Sequence, residues 1–181
     1  MAIEGLPGAG KTTLIDWLKE AIGDVVVVPE LVLSEPVEPA RAFYVSNDLR
    51  KAQRCRATGR RLLDRYWAST AAYVLAEERW LGRILEAPAV VARLYGRAPS
   101  SPDAYVFLDP PRALDHAYAE DGRFGDPRFR RLLRHAYYDI FAFAAVPVLV
   151  AYDDSRSAVH SFVLHHLGLA ESTHAPETQH R

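Results

Sequence analysis

A chain of 181 residues, 49% hydrophobic and 25% charged, is long enough for one α/β domain with a real core and short for two. Its formal charge of -1 provides no global field to gather nucleic acid or an anionic membrane, so any phosphate must be held by a local device. Cys55 is the only cysteine, which excludes an internal disulfide and favours a cytoplasmic setting, and the longest apolar run, 141–152, carries Pro147 and is too short to span a bilayer.

The chain begins Met1-Ala2-Ile3-Glu4, a short strand with no signal-peptide pattern before it. Met1 falls inside that strand, so either the strand is short or the true start lies upstream. Gly5-Leu6-Pro7-Gly8-Ala9-Gly10-Lys11-Thr12-Thr13 follows, with the spacing of a phosphate-binding loop. A triphosphate is best surrounded by successive backbone N–H groups on a loop without side-chain bulk. Gly5, Gly8 and Gly10 supply that loop, and Ala9 and Thr13 complete the stretch. Lys11 can reach the β and γ phosphates of ATP, the Thr12 hydroxyl can ligate Mg2+, and the helix that starts there adds its partial positive charge.

Leu14, Ile15, Leu18 and Ile22 have helical spacing, which predicts a helix over 11–21 ended by Gly23-Asp24. The β-branched run Val25-Val26-Val27-Val28 predicts a strand covered on both faces, closed by Pro29-Glu30. A Pro- and Glu-rich loop containing Glu35 leads to a helix over about 40–58. Arg61-Leu62-Leu63-Asp64 reads as a buried strand ending on a carboxylate. A long helical region over 67–94 is expected to be interrupted near Ala87-Pro88. Residues 104–108 form the next strand, stopped by Asp109-Pro110-Pro111. The polar segment 112–128 reads as a mobile lid. A helix over 129–145, a strand over 147–152 and a helix over 157–167 complete a single domain at about residue 168, and the polar tail from 169 to 181 is expected to be disordered. Strands alternating with helices predict a five-stranded parallel sheet with helices on both faces. Gly5, Glu30, Asp64, Asp109 and Asp153 then follow on strand ends, where such sheets bind ligands.

Asp64-Arg65-Tyr66-Trp67-Ala68-Ser69-Thr70-Ala71-Ala72-Tyr73 resembles the Asp-Arg-Tyr, Ser, Ala-Tyr signature of thymidylate kinases. Together with the phosphate loop, Leu108-Asp109-Pro110 and an Arg-bearing lid before a Tyr-Tyr helix, it makes the chain similar to the thymidylate kinase and deoxynucleoside kinase group from Met1 to about Leu167. The resemblance implies Mg2+-dependent transfer of the ATP γ-phosphoryl to a nucleotide or nucleoside acceptor. It implies that Asp64 sits near the metal, that Arg65 holds the phosphoryl group and that Tyr66 lies on the acceptor side. It also implies that a Glu after the second strand takes the proton of the sugar hydroxyl. Glu30 is nearer the strand end than Glu35 and is preferred as that base. Arg123 aligns with the lid arginine, with Arg128 in reserve. Phe43, Tyr44, Asn47 and Arg50 lie on the helix that faces the nucleobase in the family, and the Asp153 stretch follows the strand where the adenine lies.

This chain has Leu6-Pro7 where thymidylate kinases carry a carboxylate for the acceptor's sugar, and Val74 where they carry Gln. Both departures fall on acceptor recognition. Two other readings stay open: a specialised kinase acting on the hydroxyl of another small metabolite, and a regulatory ATPase without an acceptor. Neither nucleic acid nor a membrane is expected as a partner, and a homodimer is left open. Asp64-Arg65 can equally be a structural ion pair, and the 43–50 face a packed one. His160, His165 and His166 spread around their helix and read as a solvated face rather than metal ligands.

Overall fold

A computed structural model describes residues 1–30, 40–55, 59–109, 122–152 and 155–169. In chain order the elements are β1 (Ala2–Gly5), α1 (Lys11–Ile22), β2 (Val26–Val28), α2 (Ala40–Cys55), β3 (Arg61–Asp64), α3 (Trp67–Trp80), α4 (Ala87–Tyr95), β4 (Tyr105–Leu108), a one-turn 3-10 helix (Gly122–Gly125), α5 (Pro127–Ala144), β5 (Val148–Ala151) and α6 (Arg156–His166). The five strands form one sheet in the order β2-β3-β1-β4-β5, every neighbouring pair parallel. This is the predicted fold class.

Alternation along each strand sorts the core into two layers. Ile3, Leu62 and Val106 point into one cluster with Leu14, Leu18 and Val159, from α1 and α6. Ala2, Leu63, Tyr105 and Phe107 point into the other with Trp67, Leu75, Leu133 and Ile140, from α3 and α5. Glu4 shares the parity of Ala2, so its carboxyl is carried under the start of α3.

Three sequence expectations are corrected. The Val25–Val28 run was expected to be covered on both faces, yet β2 is an edge strand with Val26 54% exposed. A continuous β-branched run has the same pattern in either position. The 67–94 helix breaks after Trp80 rather than at Ala87-Pro88: Gly82 turns with φ 79°, and Pro88 stands in the first turn of α4, where a missing N–H costs nothing. The expected lid over 112–128 is partly regular structure, because 122–125 form the 3-10 turn and α5 starts at Pro127, with the Asp126 side chain accepting from Arg128 N. Residues 112–121 of the lid lie outside the described residues, as does the tail from 170. Among the described residues no helix is long and apolar enough to cross a membrane.

Candidate active site

β1 is the central strand, and its pairing fixes what emerges beside the glycine loop. Ile3 is in register with Asp64, and Arg65 N donates to Ile3 O at 3.0 Å, so the loop and the Asp64-Arg65 pair leave the sheet side by side. At Gly5, with φ 153°, a Cβ would sit 2.7 Å from Leu108 O on the adjoining strand, so only glycine fits where the loop turns away. Gly10 caps α1 in the left-handed region and brings no side chain to the amides of its first turn. Lys11 folds back, its Nζ donating to Leu6 O at 2.9 Å and Gly5 O at 3.4 Å. Burial lowers its pKa to about 8, and the charge of Arg65 pushes the same way against Glu30, Asp64 and Glu4. The expected loop, Asp64, Arg65 and Glu30 therefore meet at one rim.

Arg65 is the pivot of that rim. It holds φ 56°, a conformation that a residue with a Cβ adopts at a cost and that recurs at functional sites. Its Nε lies 3.0 Å from Glu30 Oε2 as an ion pair. One terminal nitrogen approaches Ser69 Oγ and Tyr137 OH at 3.4 Å and Tyr73 OH at 3.5 Å. Lys51 donates to the main-chain oxygens of Asp64 (2.7 Å) and Arg65 (2.9 Å), which pins the strand end. Asp64 Oδ1 is buried with no hydrogen-bond donor among the described residues. A buried acceptor of that kind calls for a partner, and a carboxylate whose charge acts on Lys11, together with the exposed hydroxyl of the next residue, Thr12, is an oxygen donor set of the kind suited to Mg2+.

Beneath the rim, Glu4 is wholly buried, accepting from Tyr66 N at 2.9 Å and from the Ser69 hydroxyl. Burial raises its pKa to about 7 from an ordinary 4.5, against the lowering effect of those two bonds and of Arg65. The folded chain therefore holds this proton up to a higher pH than the unfolded chain does. Stability from Glu4 is full below pH 4.5 and falls as pH rises to about 7. Glu4→Gln removes the titration, its oxygen accepting from Tyr66 N and its amide nitrogen donating to Ser69 Oγ with that bond reversed. Its stability relative to wild type is expected to improve by up to about 3 kcal/mol between those limits. Urea unfolding at pH 5 and pH 8 measures this, and parallel changes in the two proteins would refute the assignment.

Beside the loop, α2 and α3 enclose a cavity of about 610 Å³, within the range of small-molecule sites. Glu30 and Arg65 stand in its wall together with Pro7 of the loop. Of the departures from the thymidylate kinase pattern, Leu6-Pro7 and Val74, Pro7 and Val74 line it, whereas Leu6 packs in the core. From α2 come Tyr44, Asn47, Asp48 and Lys51. Phe43 and Arg50 do not line it, which corrects the expectation for them: Phe43 packs edge-on against Tyr44 at 5.4 Å and Arg50 is exposed, because the helix turns the 44/48/51 stripe inward instead. Tyr66 borders the cavity but is 2% exposed and belongs mainly to the core. Glu77 is held by Arg41 at 3.3 Å and by Arg123. Arg123, expected over the transferred phosphate, is thus committed to Glu77 in the cavity wall, and the alternative Arg128 is exposed on α5.

On the other side of the loop, Ala9, Gly10, Thr13, Tyr152 and Arg156 border a groove of about 200 Å³ between α1 and α6. Asp153 adjoins it in sequence, and both Asp153 and Glu35 lie outside the described residues.

No protein-family model and no curated protein matches the sequence. Solved structures do match. Deoxyadenosine kinase from M. mycoides with bound dATP superposes with a TM-score of 0.67 at 13% identity, covering 92% of this chain and 98% of that one. Thymidylate kinase from Candida albicans gives 0.65 at 16% identity, covering 92% and 89%. Thymidylate kinase from Ehrlichia chaffeensis gives 0.58 at 18% identity, covering 92% and 96%. The fold is that of the thymidylate and deoxynucleoside kinases.

Within this kinase fold, side chains absent from the sequence expectations stand at the rim or in the cavity, among them Glu4, Arg41, Asp48, Lys51 and Glu77. A carboxylate inside an otherwise apolar strand was the available signal for Glu4. The phase of α2 was the signal for Asp48 and Lys51, at three-residue spacing from one another. Tyr137 entered only through the Tyr-Tyr helix of the resemblance, because its place in an apolar helical stripe gives no sign of its approach to Arg65. Asp109, expected on the same rim, is instead occupied by Arg134 Nε at 2.6 Å and Tyr138 OH at 3.2 Å, both from α5. His160 packs against Trp17 at 5.7 Å and His166 against Phe162 at 4.4 Å.

Proposed function

We propose that this chain is a kinase that transfers the γ-phosphoryl of ATP to a hydroxyl of a small acceptor, a nucleoside or another hydroxylated metabolite. The observation that carries this reading is the shared wall: the Glu30–Arg65 pair belongs both to the rim of the glycine loop and to the acceptor-sized cavity. The neighbours of this fold include a deoxyadenosine kinase with bound dATP and two thymidylate kinases, which supports a nucleotide on the loop and a nucleoside-like acceptor.

The charges around the cavity favour a hydroxyl over a phosphate as the accepting group. Arg65 already faces Glu30, Arg41 and Arg123 share Glu77, and Lys51 is spent on two carbonyl oxygens. A phosphate monoester would have to break one of these contacts, whereas a hydroxyl meets Glu30 directly.

In the proposed reaction Lys11 exchanges the carbonyl oxygens of Gly5 and Leu6 for the β and γ phosphates, and the amides of the loop and of the first turn of α1 receive the remaining oxygens. Thr12 and Asp64 would hold Mg2+, which when bound offsets charge on the phosphate oxygens. Glu30 accepts the proton of the attacking hydroxyl, and Arg65, fixed between Glu30 and the hydroxyls of α3 and α5, steadies the group in flight. Arg123 contributes only if it leaves Glu77 as the acceptor enters. The groove beside α6 takes the adenine.

The test is ADP release from ATP and Mg2+ across nucleosides, nucleoside monophosphates and other hydroxylated metabolites. At least one unphosphorylated acceptor is expected to accelerate release by 10-fold or more, on the order of what acid–base positioning supplies. ADP release that no acceptor alters would favour an ATPase without an acceptor and overturn the reading.

A further inference from the structure

Among the described residues of the cavity wall, the reaction above leaves two carboxylates unused, and one of them, Asp48, is not ion-paired. Asp48, on α2, is 4% exposed and lines the cavity, yet among the described residues no guanidinium or ammonium is in hydrogen-bond contact with it. Two neutral hydroxyls hold it instead, Thr70 Oγ1 from α3 and Tyr95 OH from α4, each donating at 2.7 Å, and both donate to the same oxygen, Oδ2. Oδ1 takes no hydrogen bond among the described residues. This contrasts with the other acids of the wall, since Glu30 and Glu77 are both ion-paired. Burying a carboxylate on neutral donors alone is costly, and the two bonds to Oδ2 fix the direction of the second oxygen.

We infer that Asp48 is a specificity-determining residue, and that the acceptor carries an amino group, seated on Asp48 Oδ1, so that amino-bearing acceptors are selected over their oxo counterparts. The inference rests on the kinase reading and names the chemical class of its acceptor. An N–H donor, neutral or charged, supplies what Oδ1 lacks. A carbonyl edge in the same place would set lone pair against lone pair and leave Oδ1 without a donor from the acceptor. Burial raises the Asp48 pKa to about 6, against the lowering effect of its two hydroxyl bonds and of Lys51, so above neutral pH both oxygens are acceptors. Lys51, one helical turn further on, does not compete for Oδ1, because its ammonium is spent on the carbonyl oxygens of Asp64 and Arg65. A purely structural Asp48, tying α2 to α3 and α4, would have no bearing on which acceptor is chosen.

The experiment compares kcat/KM for matched pairs differing at one group, with the full chain, ATP and Mg2+: deoxycytidine with deoxyuridine, and deoxyadenosine with deoxyinosine. The amino member of whichever pair is phosphorylated is expected to be preferred at least about 100-fold, as sites built around a substrate N–H reject analogues lacking it. Asp48→Asn retains an oxygen for Thr70 and Tyr95 and turns an amide N–H to the cavity, so it is expected to reverse the preference. Should that variant fail to fold, Thr70→Val removes one of the two bonds aiming the carboxylate and is expected to reduce the ratio at least about fivefold. Equal kcat/KM within the pairs for wild type overturns the inference while leaving the kinase reading intact. A preference that persists unchanged in the variants removes it from Asp48. Phosphate transfer to no member of either pair, while an acceptor without an amino group is phosphorylated, overturns the inference alone; transfer to no acceptor at all sinks the kinase reading and the inference with it.

Discussion

Arg65→Ala is expected to reduce kcat by about 1,000-fold, the scale on which a guanidinium stabilises a phosphoryl group in flight, and to leave ATP affinity within about threefold of wild type. The separation follows from where Arg65 stands. It does not touch the glycine loop by hydrogen bond: its contacts are Glu30, Ser69, Tyr73 and Tyr137, on the acceptor side of the rim. Ground-state ATP binding is left to the loop amides and Lys11. Arg65→Lys retains a charge but not the planar fork, and is expected to fall between the two. Because Arg65 is buried among those groups, both variants also need thermal unfolding curves beside the kinetics, so that a folding defect is not read as a catalytic one. If Arg65→Ala abolished ATP binding while remaining folded, the assignment to transfer would be wrong.

Glu30→Gln is the second large effect. Removing a positioned base is expected to lower kcat by about 100- to 10,000-fold with a small change in the KM for ATP, and Glu30→Asp, which withdraws the carboxylate by one methylene, is expected to recover part of the loss. The competing role for Glu30 is counter-ion to Arg65 alone. That role predicts a lower melting temperature in Glu30→Gln and a kcat loss no larger than that of Arg65→Ala, with Glu30→Asp gaining nothing in kcat. Steady-state kinetics of the three variants with one good acceptor distinguishes the two roles.

The donor side of this protein is written locally and was legible. Gly5, Gly8, Gly10, Lys11 and Thr12 occupy consecutive turns of one loop, so their spacing in the chain is their arrangement in space. The β3 carboxylate and Arg65 were legible for the same reason, since parallel pairing of β1 with β3 brings adjacent strand ends together. The acceptor side is assembled from α2, α3 and the 3-10 turn, and there the letters underdetermine the geometry. On α2, Phe43 with Arg50 and Tyr44 with Asp48 and Lys51 are both acceptable helical stripes. Only packing of α2 against α3 selects the second. The edge position of β2 depends on how the strands order themselves, which a run of four valines does not encode. Glu4 went unnoticed because a single acid in a four-residue strand says nothing about its depth until the strand is placed at the centre of the sheet.

Pro7 and Val74 gain meaning from this arrangement. As departures from a motif they only indicated a changed acceptor, but both line the cavity that also holds Asp48 and Asn47. Changes that would weaken recognition of thymidylate are therefore grouped in one wall, and the loop that would hold ATP is left whole.

The most direct test of that division is to follow the label of γ-32P-ATP through a single turnover in the presence of Mg2+ and the best acceptor. Recovery of the label as a phosphomonoester on an acceptor hydroxyl, with none of it requiring a phosphate already on the acceptor, is the expected result. Label recovered only as inorganic phosphate, with every acceptor tried and with ATP binding intact, would contradict the account.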